Sequence, residues 1–173
     1  QAVNQLFNGL VQLDSNLDVV PCIAKQWVVS DDALEYTFLL RDDVYFHNGQ
    51  KMTAEDVKYS YDTVRDKKYK LRRRSLWTPI KEVVIENPTR IRFEMSFPYN
   101  ELFNLMTKYM GVWPKGSREP GAPGDAAGAN AIKKGPVGLG TGPGMFVKFV
   151  SNDYVEFKRN PKYWRKDIPK WDR

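Results

Sequence analysis

The feature that most constrains the fold is a segment of strict alternation after a turn. Within Arg90–Phe97, apolar residues at every second position (Ile91, Phe93, Met95, Phe97) alternate with polar ones (Arg90, Arg92, Glu94, Ser96). Because successive side chains of a strand point to opposite faces, this pattern predicts a strand with one buried and one solvated face. Ile80–Glu86 precedes it across Asn87-Pro88-Thr89. The two segments therefore predict a β-hairpin whose apolar face needs a cover.

Further strands are predicted by apolar or alternating runs that flank turn residues. They are a short strand at Leu10–Leu13, a pair at Gln26–Val29 and Glu35–Arg41, and a final hairpin at Met145–Val150 and Tyr154–Arg159. The turns between the paired segments contain Ser, Asp and Asn, which favour turns by bonding to their own backbone.

Two helices are predicted by apolar residues at helical spacing. The first follows Thr53, a good N-cap, and carries Val57, Tyr61 and Val64 on one face. The second begins near Tyr99 and carries Leu102, Leu105, Met106 and Tyr109. A short helix is expected around Leu71–Trp77. Strand pairs interleaved with single helices predict an α+β fold.

Few residues could carry catalysis. His47 is the only histidine and Cys22 the only cysteine, and neither lies in a recognisable motif. Glu55 and Asp56 are adjacent on a helix, so their side chains diverge by about 100° and cannot share one reacting atom. We therefore expect no catalytic residue, no metal site, no cofactor and no enzymatic turnover. No apolar run reaches the length of a membrane span.

The sequence GLGTGPG at Gly138–Gly144 superficially resembles a phosphate-binding loop. A dinucleotide fingerprint needs a strand before it and a helix after it, whereas here a long loop precedes and a strand follows. The Gly-, Pro- and Ala-rich stretch Pro114–Pro143 predicts that loop, as a crossing between lobes or a flap. We expect the glycines to supply unusual backbone dihedrals at a tight crossover.

The basic run at Lys67–Arg74 supplies much of the net charge of +6. One interpretation is a solvated surface. The alternative is a single-stranded nucleic-acid-binding module formed by Lys67–Trp77, because aromatic residues interleaved with cations suit single strands. No known nucleic-acid-binding motif accompanies the run, so we expect no nucleic-acid partner.

Three segments together resemble the bacterial extracellular solute-binding proteins of family 5, which bind peptides, nickel complexes and other small solutes. They are LFNGLVQLDSNLDVVPCIAKQWVVSDDALEYTFLLRDDVYFHNGQKMTAEDVKYSYD at Leu6–Asp62, PVGLGTGPG at Pro136–Gly144 and VEFKRNPKYWRKDIPKWDR at Val155–Arg173. Together they cover much of the chain in the order and spacing of the family's pattern.

The resemblance implies part of a two-lobed, periplasmic-binding-protein-like clamshell. By the family's layout, residues 1–25 belong to domain I, residues 26–135 form the small α/β domain II, and residues 136–173 return to domain I. The chain is then a fragment whose exposed sheet edges invite self-association. The parent would capture a peptide or other small solute outside the cytoplasm, in the periplasm or on a lipid anchor, and pass it to an ABC permease.

The resemblance also implies three candidate ligand-binding residues. Trp77 resembles a pocket-facing tryptophan of nickel-binding members, while Tyr109 and Met110 precede the long loop. If Trp77 lines the cleft, it should be partly exposed here. Core packing is the alternative for each of the three residues.

Overall fold

The computed structural model describes residues 5–71, 73–119, 139–150 and 152–168. Its strands are β1 (Val11–Leu13), β2 (Val19–Pro21), β3 (Ala24–Val29), β4 (Glu35–Leu40), β5 (Ile80–Asn87), β6 (Arg90–Met95), β7 (Gly144–Phe149) and β8 (Val155–Arg159). Its helices are α1 (Ala54–Arg65) and α2 (Leu102–Tyr109), with 3-10 turns at Lys67–Tyr69 and Arg74–Trp77. The α+β fold is confirmed.

A four-stranded antiparallel sheet forms the centre of the described chain, in the order β3-β4-β6-β5. The predicted hairpin is its β5–β6 pair, in which Val83 lies opposite Phe93. The alternation in β6 buries Ile91, Phe93 and Met95 on one face, as predicted. Strand β4 buries every second side chain on the same principle.

Phe97 departs from this alternation. Strand β6 ends at Met95, so Phe97 lies beyond the pleat that would have turned its side chain inward. Its side chain is 52% exposed and contacts the ring of Tyr99 edge-on at 6.1 Å. The expectation that Phe97 shares the buried face was therefore wrong.

Aromatic contacts join the two helices to the apolar face of the sheet. Tyr61 of α1 lies edge-on to Phe93 with ring centroids 4.7 Å apart. Phe103 of α2 lies 5.4 Å from Trp27 and 5.6 Å from Tyr36. Such edge-to-face pairs add stability beyond the area they bury. The helices are thus the cover that the hairpin required.

Two smaller sheets complete the described structure, the β1–β2 pair and the predicted β7–β8 hairpin. Several large apolar side chains of the β7–β8 hairpin and its turn are exposed: Val147, Phe149, Tyr154 and Val155. An isolated two-stranded hairpin is marginal in water. Across the described ranges, neither helix is long and apolar enough to cross a bilayer.

Candidate ligand-binding site

An open cavity of about 820 Å³ lies where the amino-terminal segment meets the end of α2. Phe7, Asn8 and Cys22 contribute to one wall. Described residues between positions 64 and 77 and between positions 107 and 118 form the rest, so three stretches distant in sequence converge on one space. Its volume is in the range of small-molecule sites.

The three predicted ligand-binding residues all border this cavity. Tyr109 is 43% exposed, because it lies at the last position of α2. Met110 is 7% exposed and follows directly after the helix. Contact of these three residues with a ligand remains a prediction.

The expected partial exposure of Trp77 was wrong. Its side chain is 2% exposed and packs edge-on against Tyr61, with ring centroids 5.7 Å apart. The 3-10 turn that ends at Trp77 directs the indole into the core beneath the cavity. Trp77 therefore supports the cavity from below and offers little surface to a solute.

Sequence reasoning missed two arginines on the cavity wall. The guanidinium carbon of Arg73 lies 4.4 Å from the ring centroid of Tyr109, and that of Arg118 lies 4.3 Å from the ring centroid of Trp113. Arg73 belongs to the basic run, whose composition gave no sign that one member contacts a helix end. The nearest signal was Tyr109 itself, an aromatic residue at the exposed end of an amphipathic helix.

The electrostatic character of the lining is one-sided. Its charged side chains are Arg73, Arg74, Lys108 and Arg118, and no Asp or Glu lies among the described lining residues. Burial lowers the pKa of Arg118, but an arginine stays protonated at neutral pH. Burial raises the pKa of the Cys22 thiol to about 12, so this residue is a neutral part of the wall.

Asn8 fixes the position of the amino-terminal wall. Its backbone N–H donates to Oγ1 of Thr141 at 3.2 Å, and its carbonyl accepts from the N–H of Val112 at 3.0 Å. Its Nδ2 donates to the Tyr163 hydroxyl at 3.4 Å. Because Asn8 is buried, these bonds satisfy groups that would otherwise be costly to desolvate. One residue thus joins three distant parts of the chain beside the cavity.

The glycines of the crossover allow its backbone to approach another backbone segment closely. A Cβ at Gly140 would lie 1.9 Å from the Leu6 carbonyl oxygen, and one at Gly142 would lie 2.3 Å from that of Gln5. Neither glycine has a positive φ, so the expectation of unusual dihedrals was wrong at both positions. Gly138 lies outside the described residues. The segment packs backbone against backbone and forms no phosphate-binding loop ahead of a helix.

His47 also bonds to the crossover. Its backbone N–H donates to the Gly140 carbonyl at 2.8 Å, and its Nε2 lies 3.0 Å from the Gly142 carbonyl oxygen. Burial lowers its pKa, while the contact to Gly142 opposes this shift. The ring thus has a structural partner. Within the described parts of the chain, no three His, Cys, Asp or Glu side chains group as metal ligands.

Described members of the basic run make separate contacts with other parts of the chain. Lys68 pairs with Glu119 at 3.3 Å, and the Tyr69 hydroxyl donates to the same carboxylate at 2.5 Å. Arg73 instead lies over Tyr109 on the cavity wall. Nothing in this arrangement or in the comparisons below supports the nucleic-acid alternative.

Solved structures with the same fold identify the class of protein. NikZ from Campylobacter jejuni, solved in complex with Ni(L-His), is 31% identical, with a TM-score of 0.77 over 94% of this chain and 31% of NikZ. AgaA from A. tumefacien R10, solved in complex with agropinic acid, shares the fold with a TM-score of 0.85 over 99% of this chain and 33% of AgaA, at 24% identity. The fold is part of a periplasmic-binding-protein structure.

The particular family follows from the sequence match. Residues 18–173 match the middle region of the bacterial extracellular solute-binding proteins, family 5, and the chain belongs to this family. The glutathione-binding protein GsiB of Shigella boydii is 30% identical in an alignment 173 positions long, which covers 99% of this chain and 32% of GsiB. The chain thus spans about a third of the length of this relative. The relatives are named as binding proteins.

Proposed function

We propose that the protein to which this chain belongs captures a peptide or another small solute and delivers it to an ABC permease. The observation that carries the proposal is the cavity of about 820 Å³, which three distant segments build in a fold shared with solute-binding proteins. Glutathione, the ligand in the name of the relative GsiB, is a small peptide-like solute of suitable size. The protein would act outside the cytoplasm, in the periplasm or on a lipid anchor.

We assign residues 1–25 to domain I, 26–135 to domain II and 136–173 to the return into domain I. The four-stranded sheet and both helices fall almost wholly within the middle range, which supports the division. Strand β3 begins at Ala24, so the first boundary falls inside a strand. On this assignment, the cavity lies between domain I and domain II.

Binding by the chain can be tested with amide NMR shifts during titration with glutathione. At about 10 mM, even a millimolar dissociation constant gives substantial occupancy. We expect shifts at Trp77, Tyr109 and Met110, and none at the β5–β6 turn around Pro88, where Thr89 is the reporter amide. Maltose is the control solute. Absence of glutathione-dependent shifts around the cavity would contradict the proposal for this lobe.

We also propose that the chain only binds and does not turn over its solute. The only histidine is held by the crossover, and burial keeps the only cysteine as a thiol. Incubation with a mixed dipeptide to pentapeptide library, followed by mass spectrometry, should return every peptide intact. Cleavage that disappears in His47→Ala would show a catalytic site instead.

A further inference from the structure

Arg73 is an exposed cation fixed by a ring. Its guanidinium carbon lies 4.4 Å from the centroid of Tyr109, and the turn Arg74–Trp77 begins at the next residue. Contact with an aromatic face leaves the N–H donors of a guanidinium free to bind, and their fork matches both oxygens of a carboxylate. Tyr109 therefore positions Arg73 while leaving it able to bind an anion.

Several arginines outside the cavity pair with carboxylates. On the solvent face of the sheet, Arg92 pairs with Glu35 at 2.7 Å, Glu94 at 2.9 Å and Glu86 at 3.2 Å. In the described part of the chain, no carboxylate lies within 4.0 Å of Arg73, Arg74 or Lys108. These three cavity cations thus carry positive charge that no described carboxylate of the chain neutralises.

Two further cations border the same cavity. They are Arg74 and Lys108, which add two positive charges to that of Arg73. A concave surface lined by charge of one sign raises the local concentration of the opposite charge. Three such cations, with no acid among the described lining residues, would repel an amine and attract a solute with more than one carboxylate.

We infer that this cavity selects solutes that carry carboxylates, dicarboxylates above monocarboxylates, and that Arg73 determines the specificity. Tyr109 acts through Arg73 as a positioning residue. The inference deepens the proposed function and rests on it, because it names the chemical class of solute for the same cavity.

The test uses three probes of equal chain length on the whole chain: glutarate, its neutral diamide glutaramide, and 1,5-diaminopentane. NMR titration should show cavity shifts with glutarate and at least tenfold weaker binding of the other two, since charge-assisted hydrogen bonds are the stronger class. Arg73→Gln should weaken glutarate about tenfold or more. Lys67→Gln, which removes the same charge from the same run outside the cavity, should leave the affinity unchanged.

A further variant separates positioning from charge. Tyr109→Leu keeps all three cations but removes the ring beneath Arg73, so it should weaken glutarate and reduce its preference over acetate. Equal shifts with glutarate and glutaramide, or equal effects of Arg73→Gln and Lys67→Gln, would overturn the inference. If glutathione shifts the cavity amides while glutarate does not, the proposed function stands and the inference fails. If no probe shifts them, both fail.

Discussion

The side chain of Asp56 binds the backbone of Lys115, with Oδ1 accepting from the amide N–H at 2.8 Å. Its other oxygen, Oδ2, accepts from the N–H of Thr53 at 2.8 Å. One buried carboxylate thus caps the start of α1 and fixes the segment that follows α2. The cavity residue Arg118 lies three positions beyond Lys115, so this bond supports the wall of the site.

Asp56→Ala should lower the free energy of unfolding by about 2 kcal/mol or more, because it removes a helix cap and leaves buried donors without an acceptor. Urea unfolding measures the change. Glu55→Ala is the matched control, since the Glu55–Lys115 ion pair is largely exposed and such pairs contribute little. Equal losses in the two variants would refute the proposed role of Asp56.

Gly140→Ala should destabilise the chain by about 2 kcal/mol or more, because the new Cβ meets the Leu6 carbonyl oxygen. Gly116→Ala is the comparison, since Gly116 has open space but a φ of +79°. It should cost about 1 kcal/mol, and Gly116→Asn should recover part of that loss. Thermal unfolding of the three variants distinguishes close approach from backbone strain. A tolerated Gly140→Ala would contradict the packing described here.

The free energy of unfolding should fall on mild acidification, because His47 becomes protonated. Its folded-state pKa is lowered by burial, so the unfolded chain binds the proton more readily. The stabilisation from the neutral, buried His47 ring is complete above the pKa of the unfolded state and is lost as the pH falls below about 6.5. His47→Gln can keep a donor for Gly142 but cannot titrate. It should therefore lose less stability than the wild type between about pH 7 and pH 5 in urea unfolding, and identical losses would contradict this.

Trp77 should be less accessible than Trp27, the reverse of what a cleft-facing indole would show. Trp27 is partly buried against Phe38 and Phe103, whereas Trp77 lies within the core. In protein labelled with 5-fluorotryptophan, a soluble nitroxide should broaden the fluorine NMR signal of Trp77 less than that of Trp27. The two signals are assigned with the variants Trp77→Phe and Trp27→Phe. Broadening of Trp77 equal to that of Trp27 would place the indole at the surface.

Local patterns predicted most of the central fold. The alternation in Arg90–Phe97 reports the pleat directly, so β6 and its pairing with β5 could be read from one segment. The same reasoning failed at Phe97, because alternation does not show where a strand stops. Beyond Met95, the Ser96 N–H still donates to the Pro79 carbonyl at 2.8 Å, a contact between separate segments that the alternation within one segment does not report.

The site was less predictable because it depends on contacts between distant residues. Tyr109 and Met110 were found through the resemblance, and both border the cavity. Arg73 looked like one more member of a solvated basic run, since only the fold brings it over Tyr109. Trp77 was misjudged for a related reason: an indole on a short 3-10 turn can face either way, and Tyr61 decides the direction.

The bonds of Asn8 have a consequence for the order in which the chain folds. Its contacts to Thr141 and Tyr163 join residues 133 and 155 positions apart, so each closes a very long loop. Loop closure of this length costs entropy before any contact compensates for it, and topologies with a high contact order fold slowly. The β4, β5 and β6 strands can pair within about 60 residues of sequence. During synthesis, Asn8 must therefore wait for Thr141 and Tyr163 to emerge before it can bond to either hydroxyl group.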